Sequence, residues 1–236
     1  MNRDRARIGN LLGQQQRPWW RISNATGETA ELWIYDEISL WGVTADAFAA
    51  DLRSITASNV TLRLNSPGGD VFDGIAIYNS IRSHPARFTA KVDSLAASIA
   101  SVILQAADHR VMVSHSQAMI HDAVGAFIGN AEEMVDFAAL LEKQSDLIAE
   151  IYAERAGGGV RRKNKFRDLM RAETWLSDAE AVDLGLADEI ERPTVQNTAD
   201  LNLTSTSDTV ANTCTSSEWR LLLAAAESRS SLELLP

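Results

Sequence analysis

An α/β fold with a mainly parallel sheet covered by helices is what the pattern of this 236-residue chain predicts. Two observations carry that reading. Apolar runs with strand periodicity alternate along the chain with runs of helical periodicity, the signature of repeated strand–helix units. Composition agrees: 45% of residues are hydrophobic and 23% charged, and the length holds one sizeable core plus tails.

Taken in order, residues 1–18 read as a flexible arm and residues 19–192 as the folded domain. "AELWIYDEI" (30–38) mixes aromatic and β-branched residues and suits a strand. "TADAFAADLRSI" (44–55) sets Phe48, Leu52 and Ile55 at helical spacing behind a Thr44 cap. "NVTLRLN" (59–65) alternates Val60, Leu62 and Leu64 as a strand does. "VFDGIAIYNSIRS" (71–83) puts Val71, Ile75, Tyr78 and Ile81 on one helical face. "RFTAKVDS" (87–94) is a strand, "AASIASVILQAA" (96–107) a helix, and "HRVMVSH" (109–115) and "QAMIHDA" (117–123) are strands.

The longest helix is expected over 130–155. Asn130 with Glu133 three residues on is a capping box. Met134, Phe137, Leu140, Leu141, Ile148, Ile151 and Tyr152 make its apolar stripe, and "AGGG" (156–159) stops it. "GVRRKNKFRD" (159–168) is strongly basic. It reads as a solvated loop, or as the edge of a groove for an acidic substrate. From Pro193 the texture changes. Residues 193–217 are rich in Ser, Thr and Asn and read as a linker, while 218–236 opens on "EWRLLLAAAE", a short amphipathic segment.

Charge and composition exclude several classes. A formal net charge of −10 argues against non-specific nucleic-acid binding, which needs Lys and Arg on phosphates. One cysteine, Cys214, excludes an intrachain disulfide framework and a cysteine-rich zinc site. No metal or other cofactor is expected. No apolar run approaches the ~20 residues that span a bilayer, and no apolar segment follows the charged N-terminus as in a secretory signal. A cytoplasmic protein is expected.

The chemistry concentrates in three places. "LNSPGGDVFDG" (64–74) sets two glycines at the end of a strand, where a ligand can approach backbone N–H groups that no Cβ shields. "DSLAASIAS" (93–101) surrounds Ser98 with Ala96, Ala97 and Ala100, small enough for a substrate backbone to come close. "MIHDA" (119–123) places His121 after a strand. A serine hydroxyl becomes a nucleophile once an imidazole within hydrogen-bond reach can take its proton. The helix start after Ser98 and a glycine N–H would supply the two donors that stabilise an oxyanion. Each signal alone has a plainer explanation: close helix packing, a structural histidine, a turn. His84, His109 and His115 read as surface or structural residues.

Together and in this order, "LNSPGGDVFDGIAIYNSI", "SLAASIAS", "AMIHDAVG" and "TWLSDAEAVDLGLADEI" resemble the ClpP family of serine peptidases over residues 31–190. Within it they are most similar to phage and prophage ClpP-like head maturation (prohead) proteases. The resemblance implies the ClpP/crotonase-like fold of repeated ββα-type units. It implies Ser98 as nucleophile, His121 as general base, and Gly69 and Ile99 as oxyanion donors, with Gly68 and Gly69 along the substrate. The family's orienting aspartate lies two residues before an aromatic; here the aromatic is Trp175 and the acid is Glu173, with Asp168 as the alternative. A homo-oligomeric ring is implied, as is a protein or peptide substrate drawn from capsid or scaffold proteins, in the host cytoplasm or the assembling procapsid. The N-terminal segment does not resemble the pore loops that ClpP proteins use with their ATPase, so an ATP-independent endopeptidase is expected. Two rivals stand beside it: a crotonase-like acyl-CoA enzyme, and a non-catalytic capsid-assembly component with a degenerate triad.

Overall fold

The computed structural model describes residues 22–23, 28–39 and 42–192. Along them run β1 (Ile22–Ser23), β2 (Thr29–Ile34), α1 (Ala45–Leu52), β3 (Asn59–Ser66), α2 (Val71–Ser83), β4 (Arg87–Ala97), α3 (Ile99–Leu104), β5 (His109–Val113), β6 (Gln117–Ile120), α4 (Ala131–Arg155), α5 (Val160–Arg171), β7 (Thr174–Ser177), α6 (Asp178–Leu184) and β8 (Glu189–Glu191). The arm, linker and terminal segment read from the sequence at 1–18, 193–217 and 218–236 lie outside the described residues.

The strands form one sheet in the order β1-β2-β3-β4-β5-β8, with β6 joined to β4 and β7 to β6. All pairings are parallel except β1–β2 and β6–β7. Alternation decides which face is core. Val60, Leu62 and Leu64 of β3 and Phe88, Ala90 and Val92 of β4 are buried together with Phe48, Leu52, Ile77 and Ile81 from the helices. Full burial of one such large apolar side chain stabilises by about 1.5–3 kcal/mol. Several of the intervening side chains are polar and paired. Arg63 forks onto Asp93, which also accepts from Tyr35 Oη at 2.5 Å, and Lys91 Nζ meets Glu191 at 2.7 Å.

β4 is the strand that makes the site. Its stretch from Thr89 to Val92 pairs with β5, whereas Leu95, Ala96 and Ala97 pair with Gln117, Ala118 and Met119 of β6. The register against β3 shifts between Leu64 and Ser66, so the end of β4 leaves the main sheet and carries a second, smaller ladder. That ladder overrides the helical propensity of "AA". The strand expected to stop at 94 continues to Ala97, and the helix expected from 96 begins at Ile99.

Other expectations change too. The strand expected over 30–38 ends at Ile34, and Ile38 stands in an isolated bridge to Gly69. "GVRRKNKFRD" is not a loop: all but its first residue lie in α5, whose Phe166, Arg167 and Met170 face inward. On α2 the buried face is centred on Gly74, Ile77 and Ile81, while Val71, Ile75 and Tyr78 flank it. Gly74 sets that rotation, because a Cβ there would run into the Ile99 side chain. The Asn130–Glu133 capping box of α4 is present. Its apolar stripe is covered only in the second half, where Ile148, Ala149, Tyr152 and Ala153 are buried; Met134, Val135 and Leu140 are exposed.

Candidate active site

The pairing of β4 with β6 aligns Ala97 with Met119, and the Ser98 N–H donates to the Met119 carbonyl at 2.8 Å. Both strands therefore end together, and each delivers one side chain just beyond its last rung. Ser98 Oγ lies 2.8 Å from His121 Nε2. Ser98 caps α3 with φ 53° and ψ −129°. A non-glycine residue in the left-handed half of the map stores about 1–3 kcal/mol of strain, held by the structure around it.

The glycine turn closes on this pair. Ile38 bridges to Gly69 in parallel fashion: Ile38 N–H donates to Gly68 O at 2.8 Å, and Asp70 N–H to Ile38 O at 2.6 Å. That pattern passes over Gly69 N–H, which has no acceptor among the described residues. Ile99 N–H, first in α3, is likewise free of an intrahelical partner. Gly68 (φ 93°) lies so close to the nucleophile that a Cβ would stand 2.6 Å from Ala97 O and 2.7 Å from Ser98 Cβ. Ser66 fixes the turn, its Oγ donating to Asp36 O at 2.6 Å and accepting from Gly68 N–H at 3.1 Å.

The small residues beside Ser98 have a different role from the one expected. Ala96, Ala97 and Ala100 are at most 2% exposed, so they admit the core and the glycine turn rather than a substrate. The open side is the cleft bounded by Gly69, Val71, His121, Ala123 and Val124. It continues into a cavity of about 210 Å³ lined by Phe72, Val124, Phe137, Leu140 and Leu141.

The antiparallel ladder of β6 and β7 ends at Ile120 opposite Thr174; His121 and Glu173 flank that last rung without pairing, and the Glu173 N–H donates to Met170 O at 3.0 Å. Glu173 is exposed, in a left-handed conformation with φ 48°. Among the described residues, no hydrogen bond or ion pair joins His121 to Glu173 or to Asp168. Asp168 instead points along exposed α5 toward Arg171, 3.6 Å away.

Arg167 escaped the sequence reading because it sits within a basic run. Only 4% exposed, it pairs with Asp122, next to His121, and with Glu142 of α4 at 2.5 Å. Its Nε is 3.0 Å from Asp146 but too poorly aligned for a hydrogen bond. The Phe166–Met170 spacing, i to i+4, was the available signal for an inward helix face. Among the described residues no cluster of His, Cys, Asp or Glu is arranged to hold a metal, and no helix is long and apolar enough to cross a membrane.

A strand-end serine hydroxyl on an imidazole, beside two free N–H groups, is an arrangement used by serine hydrolases. The chain belongs to the Clp protease family, whose model matches residues 29–194. It is 34% identical over 136 residues to the ATP-dependent Clp protease proteolytic subunit of Oltmannsiellopsis viridis, covering 57% of this chain and 68% of that one. With the Rhodococcus jostii subunit 3 of the same protease it shares 31% over 163 residues, 65% of this chain and 79% of that one. The solved structure of a ClpP1 mutant from Listeria monocytogenes superposes with a TM-score of 0.61 at 25% identity, covering 69% of this chain and 91% of that one. The mainly parallel sheet flanked by helices is thus the ClpP-like fold.

Proposed function

We propose that this chain is a serine endopeptidase working through Ser98, His121 and Glu173. The observation that carries the reading is the 2.8 Å contact of Ser98 Oγ with His121 Nε2, beside the free N–H groups of Gly69 and Ile99. In acylation Ser98 Oγ bonds to the peptide carbonyl carbon while His121 takes the hydroxyl proton. The carbonyl π pair moves onto oxygen, facing the Gly69 and Ile99 N–H groups. When that pair returns, the C–N bond breaks and His121 passes its proton to the leaving amine. Water then attacks the acyl ester by the same route, returning the proton to Ser98 and freeing the acid. Each oxyanion donor is worth ~3 kcal/mol in barrier height. Glu173, which flanks the last β6–β7 rung beside His121, would hold the imidazole tautomer that keeps Nε2 free to accept.

The substrate reading rests on the sequence resemblance to phage and prophage head maturation proteases: capsid or scaffold proteins, cleaved without ATP. The similar proteins carry the name ATP-dependent Clp protease proteolytic subunit, which makes an unfoldase-linked peptidase the second reading. Cleavage of unfolded and of native capsid protein with no nucleotide present supports the first; a strict need for an unfoldase and ATP supports the second.

Ser98→Ala tests the chemistry itself. It should abolish peptide cleavage and fluorophosphonate labelling while moving the melting temperature little, since the hydroxyl faces the open cleft. A crotonase-like enzyme or an inert capsid component would leave wild-type Ser98 unlabelled. Cleavage by Ser98→Ala near the wild-type rate would remove Ser98 from the mechanism.

A further inference from the structure

The carbonyl of Ser98 and the N–H of Ile99 belong to one planar trans peptide, so whatever holds the first aims the second. Two donors hold that carbonyl: the Ser101 N–H at 3.0 Å and the Ser101 hydroxyl at 2.5 Å. The same hydroxyl lies 2.7 Å from the Tyr152 phenol oxygen. Proton accounting fixes the direction. A carbonyl only accepts, so the one hydroxyl proton of Ser101 goes to Ser98, and Tyr152 donates to Ser101. Burial pushes the Tyr152 phenol well above its ordinary range, which keeps that proton in place at assay pH.

The two hydroxyls are in the right surroundings to matter. Ser101 and Tyr152 are each 1% exposed, so water does not compete for these bonds. The Tyr152 ring is packed on Phe166, with centroids 5.5 Å apart. Ser98, at φ 53°, is in a conformation that serine does not adopt by preference and must be held from outside. Hydrogen bonds in series also polarise one another, by about 10–30% per bond.

We propose that Ser101 and Tyr152 are positioning residues for the oxyanion site: the series Tyr152 hydroxyl, Ser101 hydroxyl, Ser98 carbonyl aims and polarises the Ile99 N–H. The inference rests on the peptidase reading. It ties the nucleophile's peptide plane to α4, whose first half also lines the adjoining cavity.

The test compares Ser101→Ala, Tyr152→Phe and the double variant. Each deletes a single oxygen, so folding should survive. For Ser101→Ala, kcat should fall about tenfold, less than the hundredfold or more that follows loss of a whole oxyanion donor. Tyr152→Phe should fall about threefold. The double variant should match Ser101→Ala, because the phenol acts only through Ser101. KM and the pH midpoint of kcat/KM should stay put, since His121 is untouched. Affinity for a peptide boronate, which forms a tetrahedral adduct on Ser98, should fall by the same factor as kcat. Wild-type kcat in folded Ser101→Ala, or a double variant equal to the product of the singles, overturns the inference. So does unfolding of both single variants, which would make the pair structural. Failure of the peptidase reading shows separately, as a wild-type protein that neither cleaves peptide nor labels at Ser98.

Discussion

Glu173 carries one methylene more than the aspartate of the family pattern, and this sets the sharpest residue-scale prediction. It flanks the last rung of the β6–β7 ladder, as His121 does on the facing strand, whereas Asp168 is turned to Arg171 on an exposed helix face. If Glu173 orients the imidazole, Glu173→Gln should lower kcat by about 10⁴-fold through the wrong tautomer, while Asp168→Asn should change it less than twofold. Steady-state kinetics on one peptide decide it; the reverse ranking would transfer the role to Asp168. The motifs around Ser98 and His121 were readable because glycine pairs, small residues and a lone histidine are unusual at strand ends. Residue pattern alone did not bring them together, since their meeting depends on the branch of β4 onto β6; the pairing came from the family resemblance. The Tyr152 hydroxyl was hidden for a related reason: on the sequence it counts simply as one member of an apolar stripe.

At the scale of the element, α4 is the piece that its own domain leaves unfinished. Its second half is buried against the core, but Met134, Val135 and Leu140 are exposed in the first half, and the preceding segment exposes Val124, Phe127 and Ile128. Phe127 and Phe137 stack at 5.0 Å and stiffen this projection. So much adjacent apolar surface favours burial against another copy, as the resemblance to ring-forming ClpP proteins implies. Light scattering at micromolar concentration should therefore report several multiples of the 25.8 kDa chain mass. Val135→Lys combined with Ile128→Lys should shift the particle toward that mass. A monomer in the wild-type protein would count against assembly. The elements themselves were largely legible, because β3 and α1 announce their periods plainly. The misread ones have separate causes. At the end of β4 a tertiary ladder overrode alanine's helical preference, and in α5 the buried Arg167 was concealed among solvated arginines and lysines.

For the whole molecule, the question is what the residues beyond the domain do. The last strand, β8, ends at Glu191, and the family match ends at residue 194. Every residue proposed for catalysis lies upstream of that point, so deleting residues from Pro193 onward should leave peptide kcat/KM within about twofold of the full chain. The Ser/Thr-rich composition of 193–217, read from the sequence as a linker, motivates a test for self-cleavage there. In the sequence beyond it, "EWRLLLAAAE" spaces Trp219, Leu222, Leu223 and Ala226 at helical intervals, the basis for expecting a docking segment. Purified wild-type protein held at assay temperature should then shorten by roughly the length of this tail, while Ser98→Ala stays full-length, with intact-mass spectrometry reading the cut. Mixing a trace of wild-type with labelled Ser98→Ala separates cleavage between molecules from cleavage within one. If both proteins keep their full mass while a peptide substrate is turned over, the tail is not a substrate of its own domain.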